Sequence, residues 1–168
     1  MIEVRPSRFH IADVFALLGW LLICYAVAAV GAVMSMSGLL SWYPLLIKPS
    51  FNPPDWVFGP VWTVLYTMMG ISAWMVWRKR GWAEGQVPLG WFTLQLTLNM
   101  AWSGLFFLYE NPGLAFVEII ILWITIAATT VSFWSVDRRA SLLLVPYLAW
   151  VTFATVLNFA IWRLNDLA

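Results

Sequence analysis

The chain has 168 residues, of which 62% are apolar, 10% are charged and 13 are tryptophan. Soluble domains are nearer half apolar and a quarter charged, so this composition indicates an integral membrane protein. The net charge of +1 excludes a strong field for nucleic acid, and a single cysteine, Cys24, with a single histidine, His10, cannot supply a Cys/His zinc site. We therefore expect no nucleic-acid partner and no metal.

Five stretches of the chain are long and apolar enough to cross a bilayer, which requires about 20 residues per helix. In chain order they are residues 14–40, 57–77, 87–108, 114–136 and 141–162. The fold class predicted from them is an all-α membrane protein, a five-transmembrane-helix bundle that forms one domain over residues 1–168. The first stretch is much longer than the apolar core of a signal peptide, so we expect it to stay in the protein.

The basic residues are divided unequally between the two sides of this bundle. Lys48 and Arg163 lie on one side, and seven lie on the other: Arg5, Arg8, Arg78, Lys79, Arg80, Arg138 and Arg139. Positive charge favours the cytoplasmic side, which predicts a cytoplasmic N-terminus and favours a bacterial inner membrane. The outer membrane stays open as an alternative. Arg78 to Arg80 are expected to open the connector between the second and third spans.

The connector between the first two spans, residues 41–56, combines prolines with aromatic residues. Its second part belongs to the string KPSFNPPDWVFGPVW, residues 48–62. Adjacent prolines fix an extended backbone and remove amide donors, so this segment can stay rigid without secondary structure near an apolar surface. An interfacial belt of aromatic residues explains the tryptophans but not the prolines. A stiff cover over the mouth of the bundle explains both.

Three spans carry polar and aromatic residues at helical spacing. The third span has Gln95, Asn99, Trp102, Ser103 and Phe106 on one face, the fifth repeats Trp150, Ala154 and Asn158, and the second has Trp62 and Tyr66. Such stripes suit an apolar ligand pocket with a few orienting polar groups. They equally suit hydrogen bonds that hold helices together, so both interpretations stay open on the pattern alone.

One acid, Glu118, lies within a predicted span. An acid in a membrane helix is a functional candidate. The simpler interpretation is that its position near the start of the fourth span lets the carboxylate meet the helix dipole and reach head-group water. In the first span, small residues such as Ala28, Gly31, Ala32 and Ser35 permit close helix contact, within the bundle or across a dimer.

Three separated strings carry a family resemblance. They are WYPLLIKPSFNPPDWVFGPVWTVLY, LQLTLNMAWSGLFF and PYLAWVTFATVLNFAIWRLN, in that order. With them, the chain resembles the tryptophan-rich sensory protein family, also called translocator protein or peripheral-type benzodiazepine receptor, over residues 14–165. The absence of an appended domain or targeting extension suggests a bacterial rather than a plant-type member.

This resemblance implies a homodimer of five-helix bundles that binds porphyrins such as protoporphyrin IX, with the first connector as the lid of the pocket. Animal members also bind cholesterol and synthetic benzodiazepine-type ligands. No cofactor is implied as obligatory, and protoporphyrin IX or haem would be a ligand. The ligand-binding residues that it implies are Tyr43, Trp62, Tyr66, Asn99, Trp102, Ser103, Trp150 and Ala154. The stripe of the third span adds Phe106 as a candidate.

The chain departs from the animal pattern for cholesterol recognition. Val156, Phe159 and Arg163 occupy that pattern, and phenylalanine replaces its central tyrosine. Because the hydroxyl is missing, we expect weaker sterol binding than in animal members, with Arg163 able to anchor a sterol hydroxyl or a ligand carboxylate.

Three classes of function follow from these observations. The first is an integral membrane receptor or carrier that binds porphyrins and related apolar ligands for tetrapyrrole sensing, regulation or transport. The alternative is a light-dependent porphyrin-degrading enzyme, with Trp62 and Trp150 as candidate catalytic residues, although no histidine, lysine or cysteine is placed for conventional catalysis. An active transporter lacks support, since inverted repeats and proton-relay acids are not evident.

Overall fold

The computed structural model describes residues 11–166, so the charge argument from Arg5 and Arg8, and His10 as well, lie outside the described residues. Every regular element within that range is helical. Within residues 11–166, four helices are long and apolar enough to cross a membrane, which confirms an all-helical membrane protein but does not confirm the predicted count of five. They are α1 (Ile11–Ser41), α2 (Phe58–Ser103), α3 (Pro112–Trp134) and α4 (Arg138–Asn165).

The helix α2 changes direction at Gly81. This residue has φ 64° and ψ −164°, a conformation that is accessible almost exclusively to glycine. The Tyr66 hydroxyl donates a 2.5 Å hydrogen bond to Oδ1 of Asn99, 33 positions along the chain. In a straight helix these residues would lie about 50 Å apart. The two halves of α2, residues 58–80 and 82–103, therefore lie side by side.

The prediction that a connector between helices begins at Arg78 is wrong, because this segment is helical. The chain is helical through Arg78 to Arg80 and again from Trp82 onward, and Gly81 alone has non-helical dihedral angles. The reason is that polar residues at the end of a span are compatible with a helix in water, and one glycine suffices for the reversal. Glu84 supports this segment by pairing with Arg80 at 3.2 Å.

The other predicted bounds differ from the helices by a few residues. The first and fourth stretches, residues 14–40 and 114–136, correspond to α1 and α3, and the fifth, 141–162, lies inside α4. The third, 87–108, ends in a π-helical segment, Gly104–Leu108, in which the Tyr109 amide donates to the Gly104 carbonyl at 2.9 Å. The connector predicted for residues 41–56 contains two 3₁₀ turns, Tyr43–Leu45 and Asp55–Val57.

Side chains cap the starts of α3 and α4. Oδ1 of Asn111 accepts the Leu114 amide at 2.9 Å, one residue before the proline that starts α3. Asp137 caps α4 by accepting the Arg139 amide at 2.8 Å, and its carboxylate also binds Lys79 Nζ at 2.6 Å. Burial acts to raise the pKa of Asp137, but the hydrogen bonds and charge of Lys79 and the backbone amides outweigh it, so the pKa is lowered.

Ion pairs and hydrogen bonds identify the two ends of the bundle. At one end Arg78 Nε lies 3.4 Å from Asp13 of α1, and Lys79 binds Asp137 before α4. At the other end the side chain of Asn165, the last residue of α4, bonds to the backbone of Ile47 in the first connector. The start of α1 and the end of α4 therefore lie at opposite ends.

Glycines allow the helices to approach closely near both ends of α1. A Cβ placed on Gly38 would overlap the backbone carbonyl of Phe107, and one on Gly70 would lie 2.9 Å from the Leu21 side chain. By contrast, a Cβ on Gly19 would meet no atom within 4 Å. Because close packing at small residues is a main source of helix association in a bilayer, Gly38 marks a contact that stabilises the fold.

We expect Gly38→Ala to destabilise the protein by about 1–3 kcal/mol, since the added methyl group forces α1 away from the π-helical segment. The matched control is Gly19→Ala in the same helix, which should leave the melting temperature unchanged or raise it because alanine favours helix. Thermal unfolding of both variants in detergent measures the difference. Equal melting temperatures would contradict the close contact at Gly38.

Candidate functional site: a cavity beneath the first connector

A cavity of about 820 Å³ lies inside the half of the bundle next to the first connector. All four helices, the π-helical segment and the connector contribute to its wall. Its volume falls in the range of small-molecule binding sites, which is about 300–1,000 Å³. The opposite half of the bundle is filled by buried side chains, including Trp20, Met69, Phe92 and Phe133. The fold therefore places an open interior at one end and a solid core at the other.

The residues that the sequence predicted for ligand binding all line this one cavity. They are Tyr43, Trp62, Tyr66, Asn99, Trp102, Ser103, Phe106, Trp150 and Ala154. Helical spacing placed all of them except Tyr43 on stripes of three predicted spans, and the structure brings these stripes to face a shared space. Tyr43 was implied by the family resemblance. The stripes are therefore walls of a cavity as well as surfaces of contact between helices.

Aromatic rings form three parts of the wall. The rings of Trp102 and Phe106 stack with centroids 5.0 Å apart and an interplanar angle of 23°. Trp62 lies 5.6 Å from Tyr66 at a tilt of 35°, on the first half of α2. Trp150 of α4 meets Phe58 edge to face at 6.0 Å. Flat, apolar surfaces of this kind suit a planar aromatic ligand.

A hydrogen-bonded trio lies at the deep part of the wall. Tyr66 donates to Oδ1 of Asn99, and Nδ2 of Asn99 donates to the Tyr147 hydroxyl at 2.8 Å. All three side chains are buried, and Tyr66 and Asn99 line the cavity. Asn99 therefore joins the two halves of α2 to α4 and also presents a polar group to the cavity. The two interpretations of this asparagine, as pocket residue and as a link between helices, both hold.

A second amide works in the same way nearer the connector. Oδ1 of Asn158 accepts from the Trp102 indole at 3.0 Å, and its Nδ2 donates to the Pro112 carbonyl at 2.8 Å. Asn158 lines the cavity as well. Gln95 differs from both, because it is buried outside the cavity wall and both its amide atoms lack a hydrogen-bond partner. The sequence pattern put Gln95 on the same helix face as Asn99, and the structure shows that it lies one turn below the cavity.

The first connector is attached to the cavity by Tyr43 and Ile47. Tyr43 is 6% exposed, and its hydroxyl donates to Oδ1 of Asn52 at 3.0 Å. Burial raises the pKa of this hydroxyl and the charge of Asp55 adds to the rise, while the bond to Asn52 opposes it, so Tyr43 stays protonated. Asn165 of α4 accepts the Ile47 amide and donates to the Ile47 carbonyl, both at 3.0 Å.

Sequence reasoning missed part of the wall. The small residues of α1, Ala28, Gly31, Ala32 and Ser35, line the cavity in addition to permitting close contact between helices. Their three- and four-residue spacing was the signal, but small side chains also suit a helix interface, so the pattern could not separate the two. Lys48 of the connector also lines the cavity, and no helical period could have found it.

The three residues of the sterol pattern lie away from the cavity. Val156 and Phe159 are 54% and 45% exposed on the outer side of α4, and the Arg163 guanidinium is half exposed with Asp166 at 4.0 Å. Arg163 therefore does not reach a ligand in this cavity as the sequence had suggested. Weak sterol binding stays a prediction, and it would concern the outer surface of α4.

The expectation that Glu118 reaches head-group water is wrong. Its side chain is 8% exposed, and neither carboxylate oxygen has a hydrogen-bond partner. The reason is its rotational position on α3, which it shares with Ala115, Ile119 and Leu122, all of them packed into the bundle. Glu118 does not line the cavity, so its burial is a property of the core beside the site.

Comparison with known proteins identifies the family. The sequence pattern of the TspO/MBR family matches residues 20–163. The tryptophan-rich protein TspO of Chlorobaculum tepidum is 46% identical over 145 residues, which cover 85% of this chain and 91% of that protein. The translocator protein of Homo sapiens is 46% identical over 128 residues, 75% of this chain and 76% of that protein. The integral membrane protein described here therefore belongs to the TspO/MBR family.

Proposed function

We propose that this protein is a membrane receptor or carrier for porphyrins, with protoporphyrin IX as the type of ligand bound in the cavity beneath the first connector. The observation that carries the proposal is the cavity of about 820 Å³ whose wall combines stacked aromatic rings with a few polar groups. A porphyrin is flat and apolar across its centre and polar at one edge, which matches such a wall. Haem would bind by the same contacts.

The polar groups of the wall would orient the ligand. Asn99 is held in place by Tyr66 and Tyr147, so its amide is fixed before any ligand enters. Ser103 faces Gly31 across the cavity wall, where a Cβ on the glycine would lie 3.3 Å from the serine hydroxyl. A site arranged in advance loses little conformational entropy on binding, which favours affinity.

We further propose that the chain crosses the bilayer five times with a cytoplasmic N-terminus. The element Asp55–Leu108 has 54 residues, whereas one crossing needs about 20, and its halves pack side by side after the reversal at Gly81. Five described cations lie at the Gly81 end, Arg78 to Arg80, Arg138 and Arg139, against Lys48 and Arg163 at the connector end. The homodimer and a bacterial inner membrane stay predictions.

Light-dependent breakdown of the porphyrin is a second candidate, because Trp62 places an oxidisable indole in the cavity wall 5.6 Å from the Tyr66 ring. Under illumination, a loss of porphyrin absorbance over many turnovers that disappears in Trp62→Phe would favour this enzyme. Stable absorbance would favour the receptor or carrier.

We expect Trp62→Ala and Trp150→Ala each to weaken protoporphyrin IX binding about tenfold, which corresponds to about 1.4 kcal/mol of lost contact. The titration follows porphyrin absorbance in the dark, so the loss of one indole does not alter the signal. Trp123→Ala is the matched control, since Trp123 faces outward on α3 and bonds to Thr152. Binding in the cavity would be contradicted if all three substitutions weakened the affinity equally, or if no substitution changed it.

The five-crossing topology predicts which residues share a side of the membrane. In a Cys24→Ala background, we expect an impermeant maleimide to label Tyr109→Cys in intact spheroplasts. Glu84→Cys and Arg139→Cys should react only after the spheroplasts are lysed, because both positions are exposed at the other end of the bundle. Labelling of Glu84→Cys and Arg139→Cys from opposite sides would contradict the double crossing by α2.

A further inference from the structure

The mouth of the cavity carries a positive charge that is not paired with a carboxylate. Among the described residues, Lys48 and Asp55 are the charged side chains that line the cavity, and both belong to the first connector. The remainder of the wall is aromatic, aliphatic or neutral polar. A charge at the rim of an apolar site acts on a ligand more strongly than the same charge in open water, because part of its surroundings has a low dielectric constant.

The ammonium group of Lys48 lies over an aromatic ring rather than beside a carboxylate. Its Nζ is 4.5 Å from the centroid of the Tyr43 ring. The ion pairs within residues 11–166 join other residues, and Asp55 is not within ion-pair distance of Lys48. An ammonium group has three donors, and contact with a ring face leaves donors available. Lys48 can therefore accept an anionic partner without losing an ion pair.

The backbone of Ile47 and the Tyr43 ring beneath the ammonium group are both attached to the bundle. Both backbone polar groups of Ile47, the preceding residue, are bonded to the Asn165 side chain of α4. The Tyr43 ring is buried, and its hydroxyl is bonded to Asn52. These contacts attach the connector to the bundle on either side of Lys48. Lys48 therefore extends from an attached part of the connector, and its ammonium group lies beside a buried ring that lines the cavity.

We infer that Lys48 is a specificity-determining residue that binds a carboxylate of the ligand at the mouth of the cavity. This inference rests on the proposed function and defines its ligand class more narrowly. The ligand is a flat apolar molecule with a carboxylate at one edge, the flat part lying between the aromatic walls and the carboxylate beside Lys48. A neutral molecule of the same shape fills the cavity but lacks this contact.

Arg163 provides the matched comparison. It is the other described cation at this end of the bundle, but its guanidinium lies outside the cavity wall and faces Asp166 at 4.0 Å. Its removal changes the net charge by the same amount as the removal of Lys48. A difference between the two variants therefore reports the position of the charge and not the total charge.

The test compares protoporphyrin IX with its dimethyl ester, which has the same ring system without carboxylates. Both are titrated in a neutral detergent against wild type, Lys48→Gln, Lys48→Arg and Arg163→Gln. We expect Lys48→Gln to weaken binding of the acid about three- to tenfold, as for a partly exposed charge-assisted hydrogen bond, and to leave ester binding within twofold. Lys48→Arg should retain most of the affinity for the acid, and Arg163→Gln should affect neither ligand.

Other outcomes overturn the inference in distinguishable ways. Equal weakening of acid and ester by Lys48→Gln would assign Lys48 a structural role in the connector, and melting temperatures would show that change. Unaltered binding of both ligands would remove Lys48 from the site. If wild type binds neither ligand, the proposed function fails, and the inference fails with it. Binding of both ligands that depends on Trp62 but not on Lys48 contradicts this inference alone.

Discussion

The structure depends on the hydrogen-bonded trio of Tyr66, Asn99 and Tyr147. Lipid tails are as apolar as the side chains of the helices, so a bundle in a bilayer is held together by close packing and by polar contacts inside it. A cavity of about 820 Å³ removes packing from the half of the bundle next to the first connector. At the base of that space, Asn99 bonds to the first half of α2 through Tyr66 and to α4 through Tyr147. Three helical segments are thus fixed around an opening that side chains do not fill.

The first connector covers the same cavity at the opposite side from the trio, and it is attached there by one buried ring and one pair of hydrogen bonds. It has little regular structure, but Tyr43 enters the bundle, and Ile47 is bonded twice to the end of α4. The prolines between these contacts and α2 reduce the number of backbone donors that need partners. The connector is therefore attached near one end by a ring and near its middle by an amide. It leaves Lys48 and Asp55, the two connector charges, at the mouth.

Helical periodicity was sufficient to predict the polar and aromatic stripes that α2 and α4 contribute to the cavity wall. Trp62, Asn99 and Trp150 were predicted because a helix that faces a site repeats polar and aromatic residues every three or four positions. Periodicity cannot give the depth at which a cavity ends along a helix, and so the stripe of the third span included Gln95 although this residue lies below the cavity wall. It also cannot give rotation about the helix axis at an isolated acid, which is why Glu118 was expected in water.

The helical conformation of the chain on both sides of the reversal in α2, and the position of Lys48, could not be predicted from the sequence for other reasons. The basic residues before Gly81 indicated the end of a span, but whether the chain stays helical there depends on a single glycine conformation. Lys48 belongs to a connector without a repeating geometry. Its position depends on its own contact with the Tyr43 ring and on the bonds that the preceding residue, Ile47, makes to the distant Asn165. The conformation at the ends of a bundle depends on tertiary contacts of this kind, whereas the position of the spans can be predicted from hydrophobic and polar patterns in the sequence.

If the ligand occupies the cavity, filling the cavity with a larger side chain should prevent binding. Ala154→Trp adds a large ring into the space, whereas Ala149→Trp adds the same ring on the exposed side of the same helix, α4. We predict that the first variant loses protoporphyrin IX binding in a dark titration while the second binds as wild type does, with both retaining the wild-type melting temperature. Unchanged binding by a folded Ala154→Trp variant would contradict the account.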